Sequence, residues 1–372
     1  MRLTIILITA LCLAACTNPT PVKETKQDHY TLKGNLKGGN GKYVFLFEGF
    51  DQLSKADSAL IKNDTFSFTG SVSGPKMMML QVDHKGRPLE FILENAHMQI
   101  TGVPDTIYKA TVTGGKQQDD LNAFKTEEKP YDDQNAALSA IYTEAKKDTA
   151  GNSKLIDSII HEFDALSSKD SIMMERFVAG HSNSHASAYL IARNFLYSMD
   201  LNNLQRVYTS LDTAVQHGII GTKINEHIAA QLKVAIGQPA PDFTMNDANG
   251  KPISLSSYKG KITLVDFWAS WCGPCRRENP AIVKAYNMYH PKGFEIFAVS
   301  LDKDKDKWLE AVKKDNLTWT HVSQLTGWEC TILKDYAIKF IPQNVLLDKN
   351  GIIIAKNLNG AQLESELSKV QF

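Results

Sequence analysis

The sequence predicts a multidomain chain: an N-terminal antiparallel β sandwich or small barrel, a middle α-helical bundle, and a C-terminal α/β domain. Three observations carry this reading. Apolar residues recur at every second position from about residue 30 to 115, and with a 3.6-residue period from about 118 to 234. Beyond residue 237, the apolar run Ile262 to Trp268 passes into Trp271-Cys272-Gly273-Pro274-Cys275, then into a charged, helix-like segment opening Arg276-Arg277-Glu278. The 372 residues suffice for two or three domains, and with 43% hydrophobic residues most of them can fold around cores.

Lys plus Arg equals Asp plus Glu at 41 each. Nucleic acid is therefore not an expected partner, and no acidic run forms a solvating tail. At the N-terminus, Met1-Arg2 and the apolar stretch Leu3 to Leu13 have the form of a signal peptide, too short to span a membrane comfortably. Leu13-Ala14-Ala15-Cys16 resembles the bacterial lipobox, which implies cleavage after residue 15, lipidation of Cys16, and a cell-envelope protein facing the periplasm. Residues 1–16 are thus the lipoprotein signal. Residues 17–29, with Pro19 and Pro21, form a polar tether, and Thr17 leaves open which membrane carries the anchor.

From 30 to 115, Tyr43 to Phe47, Thr65 to Thr69, Met77 to Val82, Leu89 to Leu93, His97 to Thr101 and Lys109 to Thr113 read as strands. Gly38-Gly39-Asn40-Gly41, Lys62-Asn63-Asp64 and Lys85-Gly86-Arg87-Pro88 read as the turns between them. Met77-Met78-Met79 is expected to pack in the core or at a strand edge. From 116 to 236, Ile156, Ile159, Ile160, Phe163 and Leu166 mark one helical face, and Leu204, Val207, Tyr208 and Leu211 another. Five or six helices are expected there, with Asn183-Ser184 capping the segment that starts at Ala186. His181 and His185 lack the glutamate of a zinc-protease motif and read as surface or capping residues.

From 237 to 372, Phe243 to Met245 and Lys251 to Leu255 suggest a hairpin, Ile262 to Trp268 and Phe294 to Ser300 central strands, and Lys307 to Lys314 a helix. Val345 to Leu347 and Ile352 to Ala355 suggest a closing hairpin, and Leu363 to Val370 the last helix. Two cysteines separated by two residues where a strand becomes a helix form a redox pair. The start of the helix turns unpaired N–H groups and a positive dipole end toward the first sulfur, favouring its thiolate, the nucleophilic form. Cys272 is then the attacking sulfur and Cys275 the resolving one. With Cys12 lost with the signal and Cys16 lipidated, only Cys330 remains unpaired. It is either an inert buried thiol or a second resolving cysteine, and the inert reading is the expectation.

The run Ile262-Thr-Leu-Val-Asp-Phe-Trp-Ala-Ser-Trp-Cys-Gly-Pro-Cys275 resembles the active-site strand and loop of thioredoxins. Pro280 matches that family's helix-bending proline, Asp266 its buried acid, and Ile341-Pro342 its cis-proline. The longer spacing from Cys275 to Pro342, with Gly237-Gln-Pro-Ala-Pro-Asp-Phe243 and Val299-Ser-Leu-Asp302, resembles the membrane-tethered TlpA and ResA branch. Residues 30 to 115 resemble the domain of unknown function that precedes such domains in lipoproteins of Bacteroidetes-type bacteria.

The resemblance implies a thiol:disulfide oxidoreductase that needs no cofactor and no metal. Asp266 would relay the proton of Cys275, and Ile341-Pro342 would present backbone to a docking substrate. Trp268 and Trp271 would pack and shape the site, and Glu278 would be an exposed helix charge. Gly273-Pro274 matches strongly reducing thioredoxins, near about −270 mV, rather than oxidants such as DsbA at roughly −120 mV. The implied partners are disulfide-containing envelope proteins, apocytochrome c among them, and a membrane thiol donor. Competing readings are a peroxiredoxin, disfavoured by Ala269 where a Thr or Ser is needed, an envelope oxidase or isomerase, and a partner-binding lipoprotein with incidental redox activity.

Overall fold

The computed structural model describes residues 27–49, 54–149 and 151–372. The signal peptide, Cys16 and the tether up to residue 26 lie outside the described residues. Among the described residues, no helix is long and apolar enough to cross a membrane. The chain divides into two compact units, Met1–Asp119 and Asp120–Phe372.

The first unit holds strands β1 (Tyr30–Leu36), β2 (Tyr43–Glu48), β3 (Ser54–Leu60), β4 (Thr65–Gly70), β5 (Lys76–Val82), β6 (Lys85–Leu93), β7 (His97–Gly102) and β8 (Thr111–Thr113). They form two four-stranded sheets, ordered β4-β1-β7-β8 and β3-β2-β5-β6. One apolar cluster, including Leu32, Leu46, Phe68, Leu80, Phe91 and Ile100, draws on both sheets. Met77 and Met78 are buried, as packing requires.

Two expectations are corrected here. The sheets are not purely antiparallel, because β1 runs parallel to β7, from Thr31 opposite His97 to Leu36 opposite Gly102. A period of two fixes which face is buried but not the direction of the neighbour. The turn expected at Lys85-Gly86-Arg87-Pro88 lies inside β6, and the chain instead reverses at Asp83-His84, both with positive φ. Those angles belong to the two-residue hairpin turn whose twist suits its strands, and a short polar side chain such as Asp tolerates them.

The second unit begins just after the first turn of α1 (Lys116–Ala145) and continues with α2 (Ser153–Gly180), α3 (His185–Leu190), α4 (Leu201–Thr209), α5 (Thr213–Gln216) and α6 (Ile219–Lys233). Phe124 meets Phe177 edge-on between α1 and α2, with ring centroids 5.3 Å apart. Ile156, Ile159 and Leu166 are buried, whereas Ile160, assigned to the same face, is exposed. Ser184 caps α3, its side chain accepting from the Ala186 N–H. His181 stacks on Phe177 at 3.9 Å.

After α6 come β9 (Thr244–Asn246), β10 (Pro252–Ser254), β11 (Ile262–Trp268), α7 (Gly273–Tyr289), β12 (Phe294–Ser300), α8 (Lys305–Lys314), β13 (Thr320–Ser323), α9 (Ile332–Asp335), β14 (Gln343–Leu347), β15 (Ile353–Lys356) and α10 (Gly360–Lys369). Five of the strands form one sheet, ordered β13-β12-β11-β14-β15, with β11 parallel to β12 and antiparallel to β14. Every residue of β11 is buried, which is why its sequence is apolar almost without interruption. The single acid in that run, Asp266, sits between Ala298 and Asn344 in the ladder.

The helices do not form a separate body from this domain. Val234 belongs to the C-terminal core, Gly237 and Gln238 hydrogen-bond across to Ile353, and Gln231 on α6 bonds Lys356 and Ala337. At the far end, α10 opens with a reciprocal capping box between Asn359 and Gln362.

Candidate active site

β11 delivers the chain to Trp268, and the next four residues swing up to the start of α7. Cys272 is the N-cap of that helix, its Sγ accepting from the Cys275 N–H at 3.2 Å. Pro274 falls in the first turn, where a missing N–H costs nothing. Pro280 lies inside α7. The two sulfurs are bonded to each other, S–S 2.01 Å with Cα atoms 5.3 Å apart, so this is the oxidised enzyme form of the pair. Both cysteines are buried, while Gly273 and Pro274 are exposed and Trp271, 56% exposed, stands beside them. The peptide Ile341–Pro342 is cis, and Pro342 lines a cavity of about 110 Å³ together with Cys275 and Asp266.

Asp266 is buried, and burial alone pushes its carboxyl up from 3.8 to about 7. Near neutral pH the group can therefore both take and give a proton beside Cys275. Glu278 lines the same cavity and is half-buried, not the exposed helix charge expected. Its Oε2 accepts from the Gly360 N–H at 3.0 Å. Asn344 closes one side by a two-way bond with Leu358, 2.9 Å in each direction.

Residues 236–356 match the family model described as AhpC/TSA family, and residues 30–121 match "Domain of unknown function (DUF4369)". The thiol-disulfide oxidoreductase ResA of Bacillus cereus is 32% identical over 153 residues, 41% of this chain and 86% of that protein. Its namesake from Bacillus subtilis is 30% identical over 39% of this chain and 78% of that protein. This chain belongs to the ResA-type thiol-disulfide oxidoreductases. A solved thioredoxin domain of a thiol-disulfide oxidoreductase from Bacteroides vulgatus is 38% identical, covering 36% of this chain and 96% of that one at a TM-score of 0.35.

This ResA-type site is held from below by contacts that the motif does not announce. Asp302, two residues past the end of β12, accepts from the Ser270 N–H at 2.9 Å and the Ser270 hydroxyl at 2.5 Å, and Ser300 Oγ donates to it at 2.8 Å. Arg276 donates to the Ser270 carbonyl at 3.0 Å and forks onto Asp315, which also accepts from Asn279 at 2.6 Å. The Arg276 guanidinium, by hydrogen bonding, holds the Asp315 carboxyl below the usual range. Ser270, two residues before Cys272, is thus tied both to the segment after β12 and to α7. Val299-Ser-Leu-Asp302 was visible as a motif, but its role under the loop was not.

Trp328, on the inserted segment, approaches Trp271 with ring centroids 6.4 Å apart, and both rings are about half exposed. Trp268 is buried under the loop. Cys330 is free and buried, and burial pushes its thiol up, which disfavours the reactive thiolate. Among the described residues, no group of three or more His, Cys, Asp or Glu side chains is arranged to hold a metal ion.

Proposed function

We propose that this thiol-disulfide oxidoreductase works as a reductase of disulfides in cell-envelope proteins, anchored to a membrane through lipid on Cys16. The observation that carries the redox reading is the bonded pair Cys272–Cys275 at the start of α7, with a buried acid of about 7 and cis-Pro342 around it. The direction is supported by Gly273-Pro274 between the cysteines, the dipeptide of strongly reducing thioredoxins.

In the reduced enzyme, the Cys272 thiolate attacks one sulfur of the substrate disulfide, and the other leaves as a thiolate that takes a proton from solvent. The Cys275 thiol then passes its proton to the Asp266 carboxylate and attacks Cys272 Sγ of the mixed disulfide. The second substrate sulfur leaves, and two electrons have moved from the cysteine pair to the substrate. Proximity favours this second attack, since both sulfurs sit on one loop. Pro342 offers backbone to the substrate chain beside the sulfurs, a β-pairing mode of recognition. A membrane dithiol donor would restore the reduced pair, and oxidised apocytochrome c is among the envelope proteins that would serve as substrates.

Equilibration against glutathione buffers tests the direction. A potential near about −270 mV is expected, and one near roughly −120 mV would make the protein an oxidant instead. A Cys275→Ser variant should accumulate mixed disulfides on Cys272 in cells, and identifying the attached proteins names the substrates. The AhpC/TSA match also raises peroxide reduction as an activity. Ala269, buried three residues before Cys272, provides no hydroxyl there, and no consumption of hydrogen peroxide above buffer is expected.

A further inference from the structure

A second and larger cavity, about 460 Å³, opens between the helical segment and the C-terminal domain. Its walls come from residues 196–200 between α3 and α4, from α4 and α6, from the loop that carries Pro342, and from the end of β15. That volume is in the range of sites that enclose a ligand, and junctions between packed segments are where such sites gather.

Two cationic side chains, Lys339 and Lys356, line the cavity, with the imidazole of His227 beside them. Lys356 is half-buried, and its ammonium donates only to the neutral Gln231 carbonyl, at 2.9 Å. Among the described residues, neither lysine has a carboxylate within ion-pair distance. Asp200, the single carboxylate lining the cavity, is occupied in capping α4, accepting from the Asn203 N–H at 3.0 Å and its side-chain amide at 2.6 Å. Burial first, and then Lys339 and Lys356, hold the His227 imidazole below its ordinary value, while burial does the same to the Lys356 ammonium. A half-buried cation without a counter-charge is costly, and an incoming anion offsets that cost.

The cavity also adjoins the redox site. Phe340, half exposed, and Gln343 flank Ile341–Pro342 and line the cavity. Gln343 donates to Asn357 at 3.4 Å, and Asn357 lines both this cavity and the small one that holds Asp266 and Cys275. A chain laid against the backbone at Pro342 would lie next to Phe340 and Gln343, which line the cavity.

We propose that this cavity binds a carboxylate side chain of the polypeptide whose disulfide is exchanged at Cys272, so that the helical segment helps select acidic-flanked disulfides. The proposal rests on the thiol–disulfide reading above and adds a substrate class to it. The aliphatic walls, Leu196, Leu201 and Ile236 among them, would take the stem of the side chain, and Lys339 and Lys356 its charge.

The test uses disulfide peptides identical except for Glu or Gln at positions flanking the cysteine. The wild-type protein should favour the Glu peptide in kcat/KM by about tenfold at low salt. The ratio should fall toward one in a Lys339→Ala/Lys356→Met variant, whatever the absolute rate. Lys339→Glu, at an exposed position, should likewise bring it toward one, because the new carboxylate offsets the charge of Lys356. Equal rates for the two peptides with wild-type protein, or a preference that survives the double variant, would overturn the proposal. Turnover of neutral 2-hydroxyethyl disulfide separates the two readings, since its absence sinks the reductase and not the site. For that case the second readout is binding alone. In a Cys272→Ser/Cys275→Ser protein, the Glu peptide should raise the His227 titration seen by NMR. A shift of the same size with free succinate would point to a small carboxylate ligand and overturn the polypeptide as occupant.

Discussion

Asp266 makes folding stability depend on pH in a way that one substitution should abolish. In the unfolded chain its carboxyl ionises near its ordinary 3.8, whereas in the folded oxidised protein burial delays ionisation to about 7. Because the folded pKa is raised, the folded state holds the proton more tightly than the unfolded state between those values. Stability contributed by this site is therefore intact below pH 3.8 and is lost as pH rises toward 7. The gap, at about 1.4 kcal/mol for each pH unit, amounts to about 4 kcal/mol. Asp266→Asn keeps the shape and cannot ionise, so it should match the wild type near pH 3.5 and exceed it by about 4 kcal/mol above pH 8.

Denaturant unfolding of the oxidised proteins across pH 3.5 to 8.5 measures this, using tryptophan fluorescence. All five tryptophans, Trp268, Trp271, Trp308, Trp319 and Trp328, lie in residues 237–372, so the signal reports the domain that contains Asp266. Other titrations, acid effects on His321 included, occur in both proteins and cancel in the difference. A difference between variant and wild type that stays flat over this range would refute the buried, late-ionising acid, and with it the proton acceptor proposed for Cys275.

Three further outcomes follow from the same structure. His321 is buried between Trp268 and Trp319, and burial pushes its ring down to about 4. Its folded pKa is depressed, so stability is full above 6.5 and falls by about 3 kcal/mol as pH drops to 4; in His321→Phe that acid-side loss should be missing from fluorescence-monitored unfolding. Asp302→Ala removes two hydrogen bonds from Ser270 and one from Ser300 and should cost about 1–3 kcal/mol and slow thiol–disulfide exchange, with Asp302→Asn restoring part of the rate. In Gly360→Ala the new Cβ would lie 2.1 Å from that of Ala281, where α10 crosses α7, and overpacking should cost about 1–3 kcal/mol in the same unfolding assay.

What could be read from the sequence divides by range of interaction. β11 and β12 begin and end at the expected residues, because strands buried on both faces leave an apolar run with sharp edges. β3, Ser-Lys-Ala-Asp-Ser-Ala-Leu60, pairs only with β2 at a sheet edge and is largely exposed, so no alternation marks it. α1 runs 30 residues through Pro130 with few apolar positions, and its sequence carries little of the 3.6-residue signal. Cys272, Cys275, Asp266 and Pro342 were legible because a local motif names each of them.

Asp302, Arg276, Asp315 and Glu278 were not legible, because their roles exist only where separate elements meet. Arg276 and Glu278 look like ordinary charges at a helix start until Asp315 and the N–H of Gly360, 39 and 82 residues away, complete them. The same holds for the helical segment. Its periodicity marks faces such as Leu204, Val207, Tyr208 and Leu211 but not that His227 and Gln231 on α6 meet Lys356 from β15. A motif can name the sulfurs of an exchange enzyme because their chemistry is short-ranged and the same for every substrate. Selection among substrates depends on surfaces assembled from distant segments. If this enzyme chooses its disulfides by charge, that choice is made where α6 and the Pro342 loop come together.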